Sequence, residues 1–444
     1  MSPAAIYLDH NATAPVLPEV ADAVREASLR YHGNPASQHD AGRQARRALE
    51  QVRVRIAEIL GARTTGMDAD QLIFTSGGTE SNNLALHGLL QPPAPPGGRP
   101  QFRATSPLLQ TDPLAEPGAR RGVAPRLVIS AIEHPSIART AAALHQPPAP
   151  RGGRALSRAT SSLLDADPLA EPGARLGIEV QTLGVDAAGV IRLDQLESLL
   201  TPTAQLASIM LASNETGVLQ PVAEAAAICR SRGVLLHTDA TQVVGKLPVN
   251  FTELGVDALT AAAHKFHGPL GVGVLLLRHG VQLAPMMQGG FQQAALRPGT
   301  ESVALAVGMQ TALELWQREA DDRRERMTSL RDRFERAIVA GWPAAVVIGS
   351  HSPRLPHTSN IALVGLNRQA LVMALDLAGV ACSSGSACAS GSSEPSPTLL
   401  AMGLPEEQIS ASVRFSLGAS TTAAEIDEAA RRILNVCNNL RRAE

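Results

Sequence analysis

Lysine is almost missing from this chain: of its 39 basic residues, Lys246 and Lys265 alone are lysines and the rest are arginines. An arginine guanidinium stays protonated and forms no Schiff base, so lysine-dependent chemistry has two candidates. Cysteine is scarce as well. Cys229, Cys382, Cys388 and Cys437 are too few to frame 444 residues with disulfides, and no CxxC pair suggests a zinc or thioredoxin-type site. They read as free thiols of a reducing compartment. No apolar run approaches the roughly 18 residues that cross a bilayer, and the first ten residues lack a basic and then apolar leader, so a cytoplasmic location is expected. Net charge is −2 with scattered basic residues, which excludes an extended nucleic-acid surface or a membrane anchor. Aromatics supply only 2 % of the chain, but apolar residues supply 44 %, enough for a large core in two or three domains.

Apolar, β-branched runs at 71–75, 126–130, 179–183, 206–212, 234–239, 258–262 and 273–278 alternate with amphipathic segments such as 41–60 and 222–232. That alternation predicts an α/β fold with a mostly parallel sheet and helices on both faces. After about residue 300 the pattern changes to one long charged helix, roughly 302–339, then shorter elements and a Gly/Ser-rich loop. The expected division is a large domain over 16–300 and a small C-terminal α/β domain over 301–444, with residues 1–15 packing on the latter. Residues 91–122 and 146–177 repeat each other closely and are rich in Pro, Gly and Arg. They read as surface insertions without a core pattern.

Four strand ends carry the chemistry. Lys265, in AAAHKFHGP after the run at 258–262, sits among small residues where an amine is partly desolvated, as a Schiff-base lysine requires. Lys246, in VVGKLPVN, reads as an ordinary surface residue. Asp239 ends a buried strand, where a carboxylate can pair with a pyridinium nitrogen and keep it protonated; a helix-capping role is the alternative. In FTSGGTESNN a strand gives way to a glycine turn and a helix start, which suits a phosphate, with the Thr79 hydroxyl beside it. His134, after another strand, could stack on a ring and shuttle protons, although a lone histidine is also commonly structural.

These segments, in this order, resemble the cysteine desulfurases of the class V aminotransferase family, the group typified by NifS and IscS. The resemblance spans nearly the whole chain outside the two insertions. It rests on YLDHNATAP at Tyr7, GNPAS at Gly33, FTSGGTESNN at Phe74, EHPS at Glu133, SNETG at Ser213, HTDATQVVGK at His237, AHKFHGP at Ala263, RPGTE at Arg297, SSGSACASG at Ser383 and VRFSLG at Val413. It implies a fold-type I enzyme dependent on pyridoxal 5'-phosphate (PLP), a homodimer that removes sulfur from L-cysteine. The products would be L-alanine and an enzyme persulfide, the latter passed to a sulfur acceptor or scaffold protein, as in iron–sulfur cluster assembly. By the same resemblance Lys265 carries the cofactor, Asp239 pairs with its pyridine nitrogen, Gln242 meets its ring hydroxyl and His134 stacks on its ring. Gly78, Thr79 and His264 hold the phosphate, joined by Thr300 from the neighbouring subunit. Asn214 and Arg414 position the cofactor and grip the substrate carboxylate. Cys388, in a Gly/Ser-rich loop, becomes the nucleophile that takes the sulfur, and Lys265 and His134 carry protons. Cys382 is expected to be buried and inert. No metal is implied.

The chain departs from the family in two places. Ala262 stands where a serine or threonine usually contacts the phosphate, which predicts weaker PLP retention. Phe291 occupies a glycine position of a GGGxExG segment, so the loop at 288–296 is expected to differ in shape. Selenocysteine lyase, cysteine sulfinate desulfinase, aminotransferase and a weakly active sulfur-carrier paralogue stay open as alternatives.

Overall fold

The computed structural model describes residues 5–90, 124–145, 177–385 and 394–443. The two repeat copies lie outside the described residues apart from Gly177, and so does Cys388.

Seven strands form the central sheet in the order Gln71–Thr75, Gly273–Leu277, Ala258–Ala262, Leu235–Asp239, Ala204–Ser208, Arg126–Ser130 and Glu179–Leu183. Gly273–Leu277 runs antiparallel to both of its neighbours, and the other pairings are parallel. The central strands are largely apolar because helices cover both faces; Ala258–Ala262 and Gly273–Leu277 are buried at every position. The strand expected over 206–212 pairs over Ala204–Ser208 instead, although Ile209 and Leu211 still donate to the His237 and Asp239 carbonyls at 3.0 and 2.9 Å.

A second, antiparallel sheet places Thr358–Leu363 between Ser412–Ser416 and Ala345–Ile348. Its apolar cluster takes in Ile361, Val413, Phe415, Phe334 and Ile338, together with Ile6 and Leu8 from the chain start. Ile6–Tyr7 pairs in parallel with Val380–Ala381, so the first residues are stitched to late ones.

The single helix expected over 302–339 is two helices, Val303–Arg318 and Ala320–Gly341, broken at Glu319 with φ −118° and ψ 13°. The break has a packing cause. The first helix buries Met309, Leu313 and Trp316 in the core of the large sheet, whereas the second buries Leu330, Phe334 and Ile338 in the other cluster. A straight helix could not serve both.

Candidate active site

In an open, mostly parallel sheet the carboxyl ends of the strands converge on one edge. Here Gln71–Thr75 ends at the Gly77–Gly78 turn, Arg126–Ser130 leads to Glu133 and His134, Leu235–Asp239 ends on Asp239, and Ala258–Ala262 leads into the 3-10 turn Ala263–Lys265.

The lysine is held first. Lys265 Nζ donates to the backbone oxygens of Asn11 and Ala12, both at 2.7 Å. Asn11 is a hub that the sequence reading missed. Its backbone oxygen also accepts Gln242 Nε2 at 3.1 Å, and its side-chain amide donates to Asn214 O at 3.1 Å and Thr358 Oγ1 at 3.0 Å. His357 Nε2 lies 2.8 Å from Asn11 Oδ1. One early residue thus links the lysine and Gln242 to Asn214, His357 and Thr358. YLDHNATAP had shown that this segment matters, but not that Asn11 is its contact point.

Asp239 is buried, its carboxylate accepting Asn82 Nδ2 at 2.7 Å and the Thr241 backbone N–H at 2.9 Å. His134 caps the helix Pro135–Leu144, its Nδ1 accepting the Ser136 backbone N–H. That bond leaves the ring proton of a neutral His134 on Nε2. Burial lowers the His134 pKa, the Asp239 carboxylate opposes the shift and the Lys265 charge adds to it. His264 is pushed down to about 4 by burial and by the Lys265 and Lys246 charges, so its imidazole is a neutral hydrogen-bonding group.

At the glycine turn, a Cβ on Gly78 would stand 3.3 Å from Thr241 Oγ1 and 3.5 Å from the Ala262 methyl. A side chain there would fill the cradle in front of the helix Gly78–Leu90. Thr241 Oγ1 is buried without a hydrogen-bond partner, and a buried hydroxyl in that state calls for a ligand oxygen. Thr241 lies inside HTDATQ but was not singled out by the sequence reading. The turn is braced by Glu80, whose carboxylate accepts Arg297 Nε at 2.7 Å and the Ser76 N–H at 2.6 Å. Burial opposes ionisation of Glu80, yet Arg297 and Ser76 hold its pKa below the ordinary value. Thr79 and Thr300 are exposed.

Arg414 is 1 % exposed. It donates to Asp9 Oδ1 at 2.7 Å, Asn214 O at 3.1 Å and Gly385 O at 3.2 Å, while its Nε is buried without a partner. The chain flanking 386–393 is tied to the same place: Ser383 exchanges backbone bonds with Arg414, and Ser396 Oγ donates to buried Glu215 at 2.6 Å. Cys382 is partly rather than fully buried, and burial pushes its thiol up to about 12, too high for a thiolate nucleophile. Lys246 corrects the sequence reading outright. It is 6 % exposed, with Nζ 3.5 Å from Gln242 Oε1.

The sequence pattern of the class-V aminotransferases matches residues 6–99 and 165–429. The chain belongs to that family. A cysteine desulfurase of Trichormus azollae is 35% identical over 436 residues, covering 98% of this chain and 94% of its own. The cysteine desulfurase NifS of Azotobacter vinelandii is 34% identical over 436 residues, 98% of this chain and 93% of that one. Among solved structures, a NifS-like protein from Rickettsia africae superposes with a TM-score of 0.76 at 27% identity, covering 98% of this chain and 99% of that chain. Enzymes of this family use PLP, and the residues present fit it: an orphaned hydroxyl at the glycine cradle, a carboxylate fixed by two donors and a lysine amine held at a strand end.

Proposed function

We propose that this chain is a PLP-dependent cysteine desulfurase, which takes the sulfur of L-cysteine and leaves L-alanine. The observation that supports it best is the chain of hydrogen bonds from Lys265 through Asn11 and Asn214 to Arg414. It sets an amine suited to carrying the cofactor beside a buried guanidinium with one N–H to spare.

Bound PLP supplies an electron sink for the substrate Cα and Cβ. Gly78, Thr79, Thr241 and His264 would hold its phosphate, Asp239 and Gln242 its ring, and His134 would pack beside that ring. Arg414, with Asn214, takes the substrate carboxylate through its planar fork. The Lys265 amine removes the Cα proton, with His134 as a second proton carrier. The Cys388 thiolate then attacks the substrate sulfur. An S–S bond forms, the C–S bond breaks with its electron pair going to the carbon skeleton, and two protons complete alanine while the persulfide stays on Cys388. A protein acceptor then takes the sulfur.

The working unit is a homodimer in the cytoplasm, with Thr300 contributed to the partner's phosphate site. Exposed Met286, Met287 and Phe291, shortly before Thr300 in sequence, support such a contact face. Among the described residues no helix is long and apolar enough to cross a membrane.

Release of sulfide and alanine from L-cysteine under reducing conditions tests the reading, with borohydride trapping of the cofactor on Lys265 alongside. Cys388→Ser should lose turnover and keep the Lys265 label. Equal release of sulfide and alanine in that variant would remove Cys388 from the mechanism, and consumption of L-cysteine without sulfide or alanine would favour transamination.

A further inference from the structure

The second lysine of the chain is built into the same centre as the first. Lys246 lies on the turn after the Leu235–Asp239 strand, and Gly245 before it has φ +76°. A Cβ on Gly245 would stand 2.2 Å from Phe266 Cβ, so a glycine is what allows the Lys246 turn to close on the Lys265 turn. Both lysines line one small cavity with His10, His267, His357 and Arg323. None of the residues lining it is acidic.

A buried cation without a carboxylate is costly. Burial and the Lys265 charge push Lys246 down to about 7. The groups lining the cavity are cationic or neutral, and the nearest carboxylate on an adjoining element, Glu319, is engaged by Arg323 Nε at 2.8 Å. Lys265 and His264 come from the turn after Ala258–Ala262, His267 follows them, His10 comes from the chain start, Arg323 from the Ala320–Gly341 helix and His357 from just before Thr358–Leu363. His10 is depressed to about 3 and His357 well below its ordinary value, mainly by burial, and both carry a buried Nδ1 without a partner. With no carboxylate lining the cavity, an anion to keep Lys246 charged would have to come from what binds in front of Gln242. Lys246 Nζ faces Gln242 Oε1 at 3.5 Å, and Gln242 Nε2 spends one hydrogen on Asn11 O at 3.1 Å. That orientation leaves the other amide hydrogen for the cofactor.

We propose that Lys246 is a positioning residue for the lysine-bound cofactor: its ammonium fixes the direction of the Gln242 carboxamide and lowers the proton affinity of the linkage at Lys265. This rests on the reading of Lys265 as the cofactor lysine. A like charge nearby disfavours the protonated form of its neighbour, and the anionic groups of bound PLP keep Lys246 charged to higher pH than in the cofactor-free chain.

The test is a pH titration of the visible absorbance of the lysine-bound cofactor in the holoenzyme, for the natural chain, Lys246→Met and Lys246→Gln. Methionine removes charge and hydrogen bond together, and glutamine removes the charge but keeps a donor. In both variants the midpoint should rise by about one pH unit, a roughly tenfold gain in proton affinity. Borohydride trapping and peptide mapping accompany each titration. Label on Lys265 with an unmoved midpoint in either soluble variant overturns the role of Lys246, whereas absence of label on Lys265 in the natural chain overturns the cofactor reading on which it stands.

Discussion

Glu133→Gln in the cofactor-free protein should raise stability, and by an amount that grows with pH. The Glu133 residue is partly exposed as a whole, but its carboxyl is not: Oε2 is shielded from solvent and has no partner. Oε1 accepts the Ser130 hydroxyl at 2.5 Å and the Met210 backbone N–H at 2.7 Å. Burial raises the pKa from 4.5 to about 8, against the pull of those two hydrogen bonds and with a further push from the Asp239 charge. A carboxyl whose pKa is raised in the fold binds its proton more tightly there than in the unfolded chain. Its contribution is full below pH 4.5 and is lost as pH climbs to about 8. At about 1.4 kcal/mol per unit, the loss is of order 5 kcal/mol above pH 8 and about 3 kcal/mol at pH 7. Glutamine keeps an oxygen for Ser130 and Met210 and cannot ionise, so the variant escapes that loss. Urea unfolding at pH 5, 7 and 9 measures the difference between the two proteins, in which unchanged titrations cancel. A gain that is flat with pH, or largest at pH 5, would falsify the assignment of Glu133 as a neutral acid at pH 7.

Other substitutions probe the scaffold around the cofactor. Gln293 pairs with both the N–H and the C=O of Phe74, at 2.7 and 2.8 Å, and acts as a missing strand at the sheet edge; Gln293→Ala should cost about 2 kcal/mol and speed amide exchange at Phe74. Gly245→Ala forces a Cβ into Phe266 at a left-handed φ, and a loss of at least about 3 kcal/mol should appear as a lower thermal midpoint. Ala262→Ser adds a hydroxyl beside Gly78 and Thr241, and PLP should leave it roughly tenfold more slowly on dialysis; equal loss would mean that Thr241 already completes the cradle. Arg414→Lys replaces a fork with a point charge, so KM for L-cysteine should rise about tenfold or more, with a smaller change in kcat.

What could be read from the sequence was what local pattern determines. The strands announced themselves as apolar, β-branched runs, and Lys265, Asp239 and His134 stood at their ends, where a parallel sheet gathers its chemistry. Lys246 was misjudged because nothing local buries it: burial comes from Phe266, Arg323 and His357, three segments that meet it only in the fold. The break at Glu319 escaped notice for a related reason. No proline or glycine marks the break between Arg318 and Ala320, and the change of core partner that divides the apolar first helix from the charged second is a tertiary event. Asn11 looked like one polar residue among several, because its role lies in backbone and amide bonds to chain hundreds of residues away. In the loop after Phe291, Gln293, Ala294 and Ala295 all have positive φ, and Gln293 bonds to both the N–H and the C=O of Phe74, none of which local pattern announces.

The Asn11 hub also has a bearing on the order of assembly. Its backbone N–H donates to Ser416 Oγ at 2.8 Å, across 405 residues of sequence, and the strand before it pairs with Val380–Ala381. A ribosome therefore releases the lysine's acceptor first and the strands that anchor it last. Until translation reaches those strands, the emerging large sheet presents Lys265 without the fixed carbonyls of Asn11 and Ala12, and a contact that distant is among the slowest to close. The carbonyls that hold Lys265 are thus anchored only once the whole polypeptide has been made.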